Sequence, residues 1–121
     1  MVEAAFLDTV MTHEGIVDPD RLSGVLRVTK GELAAATGLS RESVSKVTRL
    51  RALPTQKRLR EMTEIINRVL PWSGSVQQAF AWYRSQPLPS FGDQTAEDLV
   101  RAGRAEHVLS YLSRIASGGY A

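Results

Sequence analysis

Arg41, Glu42, Ser45, Lys46 and Arg49 crowd into one short stretch, interleaved with the apolar residues Val44 and Val47. Arginine and lysine hydrogen-bond the acceptor edge of guanine, and serine bonds either kind of base, so an outward face of this composition has the chemistry of major-groove reading. Such a face needs a rigid support. The run from Lys30 to Arg49 reads as a helix-turn-helix, in which two helices cross at roughly 90 to 120° and demand a small residue at the crossing and a left-handed residue in the turn. Ala34 and Gly38 meet those demands, and Leu33, Leu39, Val44 and Val47 are expected to lock the pair together. On this reading Arg41, Ser45, Lys46 and Arg49 approach base edges, and Thr29 and Ser43 lie near phosphates. Arg51, Lys57, Arg58 and Arg60 then add phosphate contacts that carry no sequence information. A two-helix packing unit with a solvated basic face is the alternative that the same residues leave open.

Other chemistry is scarce. His13 and His107 are far apart in the chain, and neither sits in a carboxylate cluster of ligand spacing. Glu97 and Asp98 suit the start of a helix, where acids favour the dipole. No strand-to-helix turn surrounds a serine, and no glycine-rich phosphate loop occurs. The chain is therefore expected to be no enzyme and to hold no metal and no cofactor.

The length of 121 residues fits one compact domain, or a small reader with an appended partner-binding segment. Hydrophobic residues make up 43% and aromatics only 7%, a balance that favours helical packing of Leu, Val and Ala, so the expected fold class is all-α. The absence of cysteine removes disulfides and thiolate metal sites. No apolar run approaches the roughly 18 residues a membrane span requires, and the start of the chain has no basic flank, so a cytoplasmic protein without a membrane partner is expected. Charge is unevenly spread. Residues 1–20 carry five acids and no Lys or Arg, residues 21–60 carry ten bases against two acids, and residues 61–121 carry five bases against six acids. Positive charge thus gathers around the helix-turn-helix, as on a phosphate-facing surface.

The elements that must hold these residues follow from periodicity and capping. A short amphipathic helix is expected from residue 3 to 12, ending near Gly15. Asp18-Pro19 starts a bracing helix, Thr29 caps the next, and Ser40 caps a recognition helix expected to run from Arg41 to about Ala52. Leu59, Met62, Ile65, Ile66 and Val69 predict a helix from about Gln56 to Leu70, broken by Pro71-Trp72-Ser73-Gly74. A helix from Ser75 to about Ser85 follows. Trp72, Phe80, Trp82 and Tyr83 read as core, with one tryptophan left for an interface. Gln86 to Gly92 reads as a docked connector that buries Leu88 and Phe91. Thr95 and Asp98 form a capping arrangement, and Val108, Leu109, Leu112 and Ile115 mark a last helix from about Arg104 to Ala116. Ser117 to Ala121 is a tail with one aromatic, read either as an unstructured end or as a plug for a partner's cleft.

Arg58-Leu59-Arg60-Glu61-Met62, Trp72-Ser73-Gly74-Ser75, Ala81-Trp82-Tyr83-Arg84-Ser85-Gln86-Pro87, Phe91-Gly92, Thr95-Ala96-Glu97-Asp98-Leu99-Val100, Tyr111-Leu112 and Gly118-Gly119-Tyr120-Ala121 together resemble the Xre/MbcA/ParS family of antitoxins. The resemblance spans nearly the whole chain and is more specific in its C-terminal half. It implies an Xre-like helix-turn-helix domain over residues 1–70 and a toxin-binding domain over 71–121. The implied partners are a RES-domain toxin that acts on NAD, operator double-stranded DNA, and a second copy in a homodimer. It also implies that Phe91, Gly92, Gly118, Gly119, Tyr120 and Ala121 contact the toxin, the last four near its active-site entrance. Asp93 departs from the small residue that relatives often carry at that position. A stand-alone transcriptional regulator, with a C-terminal dimerisation or ligand-sensing region, is the rival reading.

Overall fold

In the computed structural model, which describes residues 2–118, the chain is all-α, with no strand among the described residues. The helices are α1 (Val2–Val10), α2 (Pro19–Leu26), α3 (Lys30–Thr37), α4 (Arg41–Ser45), α5 (Val47–Leu50), α6 (Leu53–Ser73), α7 (Val76–Ser85), α8 (Ala96–Arg101) and α9 (Ala105–Ala116), with a single 3-10 turn at Pro89–Phe91. None of them is long and apolar enough to cross a membrane.

The organising element is α6. Leu59, Met62, Ile65, Ile66 and Val69 recur every three or four residues and are all buried, so its apolar face can serve several neighbours at once. Helices α1, α3, α5, α7, α8 and α9 all pack against it. The core is continuous from Phe6 and Val10 to Tyr111 and Leu112, without interruption at residue 70. Gln56, a buried polar residue of α6, shows how its start is fixed. Its amide oxygen accepts from Val17 N at 2.9 Å, and its Nε2 donates to Val17 O at 3.1 Å and Leu50 O at 2.7 Å. One satisfied side chain thus ties the loop before α2 and the end of α5 to α6.

Local signals placed most helix starts. Asp18, Thr29, Ser40, Ser75 and Thr95 each accept a backbone N–H in the first turn of the helix that follows, and Thr29 and Thr95 form reciprocal capping boxes with Glu32 and Asp98. Three expectations are corrected. The first helix stops at Val10, because Met11 leaves it to pair with Val17 in an isolated antiparallel bridge. Pro71 does not break α6. It withholds one N–H in the final turn, but the helix runs on to Ser73 and ends where Gly74 turns left-handed at φ 89°. The recognition helix is not continuous from Arg41 to Ala52. Lys46, at φ −88° and ψ 128°, is extended and divides it into α4 and α5. Serine and β-branched residues hold a helix weakly here, and Val47, expected in the lock, is 67% exposed and supplies no anchor.

Tyr83 joins the two halves of the chain. It is fully buried, and its hydroxyl donates to Ala36 O, near the end of α3, at 2.7 Å. Tyr83→Phe strands that carbonyl, and the expected cost is about 1–3 kcal/mol in urea unfolding. Burial, then Glu97 and Glu61, push the phenol's pKa far above its ordinary value of 10.0. The unfolded chain therefore ionises first as pH rises past that value, so stability is intact below it and declines above it. The variant should flatten this alkaline slope; an unchanged slope would show that Tyr83 is not its source.

Candidate nucleic-acid and partner interfaces

Helices α3 and α4 are joined by Gly38, Leu39 and Ser40. Gly38 takes φ 73° and ψ 23°, and Leu39 N donates to Ala34 O at 2.9 Å while Gly38 N donates to Ala35 O at 3.3 Å. This is a Schellman ending, and it requires the left-handed residue that glycine supplies. Leu33, Ala34 and Val44 are buried in the seam and Leu39 packs partly against it. Thr29 caps α3, its hydroxyl oxygen accepting from Glu32 N at 3.0 Å. The backbone N–H of Thr29, followed by its side chain, holds the Glu32 carboxyl below the usual carboxylate range. Ser43 sits in the first turn of α4 with its hydroxyl 2.9 Å from that of Ser40. Arg41, Ser45, Lys46 and Arg49 are all exposed. The division at Lys46 puts Arg49 on a different helix from Arg41, but Glu42 gathers the cations again. Its Oε2 lies 3.5 Å from Lys46 Nζ and 3.3 Å from Arg49 Nη1.

The four cations expected on phosphates separate into two groups. Arg51, Lys57 and Arg60 line one groove of about 660 Å³ with Ile16, Leu53, Pro54 and Gln56. Arg58 faces inward instead, donating from Nη1 to Thr37 O at 2.9 Å. The acidic N-terminal segment engages the basic face directly. Glu14 and Arg51 form a two-armed pair at 3.1 and 3.2 Å, and Lys30 meets Asp20 at 2.6 Å. The hydrogen bond from Arg51 and then its charge lower the Glu14 carboxyl pKa. Lys57 pairs with Glu61 at 2.6 Å, and Arg60 donates to the carbonyl of Gly15. The Glu14–Arg51 pair is exposed on both sides and contributes little to stability, whereas the Glu61 side chain that holds Lys57 is mostly covered.

Phe91 and Gly92 lie on a tight turn. Gly92 and Asp93 both have φ 64°, and Gln94 N donates to Phe91 O at 3.2 Å, the pattern of a type I′ turn. Aspartate tolerates the left-handed region better than most residues, so Asp93 is compatible with the turn. The Phe91 ring rests on α9, 5.9 Å from the His107 ring and 6.0 Å from that of Tyr111 in an edge arrangement. Gly118 is exposed just past the other end of α9. Gly119, Tyr120 and Ala121 lie outside the described residues. Among the described residues no group of three His, Cys, Asp or Glu side chains is arranged to hold a metal.

Sequence reasoning did not anticipate the inward course of Arg58 or which tryptophan stays outside. Trp82 packs partly on the core, whereas Trp72 is 50% exposed. Its place between Pro71 and Gly74, at the end of an element, was the available signal, because a ring there has few neighbours to cover it.

Residues 69–118 match the family described as the antitoxin Xre/MbcA/ParS C-terminal toxin-binding domain. No curated protein and no solved structure matches the chain.

Proposed function

We propose that the chain, whose residues 69–118 match the Xre/MbcA/ParS C-terminal toxin-binding domain, is the antitoxin of a toxin–antitoxin pair and that its target is a RES-domain toxin that consumes NAD. It acts in the cytoplasm by binding rather than by catalysis. Residues 71–121 cover the toxin, with Phe91, Gly92 and the segment Gly118 to Ala121 in contact with it. Residues 1–70 bind the operator of the protein's own operon as part of a homodimer, so the operator contains two half-sites.

The toxin reading is carried by the family match over residues 69–118. The DNA reading is supported by the capped helix pair α3–α4 and by the exposure of Arg41, Ser45, Lys46 and Arg49 beside it. Adding the purified chain to the toxin of its operon should stop NAD consumption at a fixed stoichiometry. A toxin of that operon that consumes no NAD when free would leave the chain an antitoxin of some other kind of toxin, and continued consumption in a stable complex would overturn blockade by binding. For the operator, Arg49→Ala is expected to weaken specific binding about tenfold or more, within the ~1–3 kcal/mol of a base contact. Binding to random duplex should change far less in the same salt. Equal losses on both duplexes would remove Arg49 from base reading.

A further inference from the structure

Trp72 stands at the C-terminal end of α6 and borders a groove of about 550 Å³ whose other wall is the last part of α9. Three large apolar side chains are exposed among the described residues: Val47 (67%), Leu53 (85%) and Trp72 (50%). Val47 and Leu53 lie outside the matched toxin-binding segment, and Trp72 lies inside it. Pro71, Leu112, Ser113, Ala116 and Ser117 also line the groove and also fall within the match.

The groove's charge distinguishes it from the basic one. Its only charged lining residue is Arg68, and that guanidinium is already held by Glu64 at 3.0 Å and by the Ser113 hydroxyl at 2.9 Å. A polyanion gains little there, while a protein surface with an apolar side chain finds a tryptophan to pack on. The groove is also continuous with the candidate toxin contact at Gly118, because Ser117 lines it and Gly118 follows directly.

We infer that this groove is the docking surface for the toxin's body, with Trp72 as the anchor that receives an apolar side chain of the toxin, on a face separate from the basic one. The inference rests on the antitoxin reading and adds the place where the toxin sits.

Buried tryptophans are among the side chains whose truncation most weakens an interface, commonly by about 30-fold or more. Trp72→Ala in the full chain is therefore expected to weaken binding to the toxin of the same operon about 30-fold, measured by calorimetry. Thermal midpoint and duplex binding should be retained. Ala116→Arg obstructs the opposite wall without touching Trp72 and should give a comparable loss, which keeps the test decisive if Trp72→Ala does not fold. Leu53→Ser, which removes a still more exposed apolar side chain on the basic face, should leave toxin affinity unchanged. Wild-type affinity in both groove variants, or a loss confined to Leu53→Ser, would overturn the assignment. Failure of the wild-type chain itself to bind that toxin would instead overturn the antitoxin reading beneath it, and the docking surface with it.

Discussion

Cutting the chain after Leu70 is expected to leave a fragment with no cooperative thermal transition, whereas the full chain melts in a single one. The proposed reader and toxin-binding segments have different tasks, but their apolar side chains form one core. Helix α7 packs along α6, α8 against α3, and α9 against α6. The cut removes Phe80, Tyr83, Leu99, Val100, Val108 and Leu112, all of them buried. Full burial of a large apolar side chain contributes about 1.5–3 kcal/mol. Without α7, α8 and α9 the apolar faces of α3 and α6 that they cover are opened to water, and exposing a few such side chains is comparable with the ~5–15 kcal/mol by which a domain is usually stable. The cut also leaves Ala36 O without the Tyr83 hydroxyl. Circular dichroism of the fragment against the full chain reads the result directly. A sigmoidal melt of residues 1–70, within a few degrees of the full chain, would show that the reader is autonomous and that the shared core contributes little.

Gly38→Ala is expected to destabilise the full chain by about 2–5 kcal/mol, combining the ~1–2 kcal/mol of a left-handed non-glycine residue with the ~1–3 kcal/mol of overpacking. A Cβ at this position would lie 2.9 Å from Arg58 Nη1 and 3.2 Å from Arg101 Cα. The guanidinium could move, but only by giving up its bond to Thr37 O, and the Arg101 backbone is part of α8. Gly15 supplies the control. It has φ 80°, and a Cβ there would meet nothing within 4 Å, so Gly15→Ala carries the conformational cost alone, about 1–2 kcal/mol. Paired urea titrations separate the two contributions. If both variants lose the same stability, the close approach of α8 to the α3–α4 turn is not a constraint.

Gly38 also divides what was legible in the chain from what was not. It was identifiable as a turn residue from its place between two apolar-periodic runs. That the same residue admits the α8 backbone was not, because Arg101 is distant in sequence and nothing local announces its approach.

By itself the sequence determined the all-α class, the caps at Asp18, Thr29, Ser40 and Thr95, the buried face of α6 and the burial of Leu88. Each follows from residues within a turn or two of one another, or from a periodicity that any core-facing helix must show. Only the tertiary structure decided that the chain breaks at Lys46 and that Arg58 turns inward while Arg51 meets Glu14. It also decided that Trp72 remains outside while Tyr83 is enclosed. These outcomes depend on which distant group arrives beside each side chain: a carbonyl at the end of α3, a carboxylate ahead of α2, or no neighbour for a ring at the end of α6. Capping and amphipathicity are local balances that a short segment settles alone. The fate of a cation or an aromatic ring is settled by the partner that packing delivers to it.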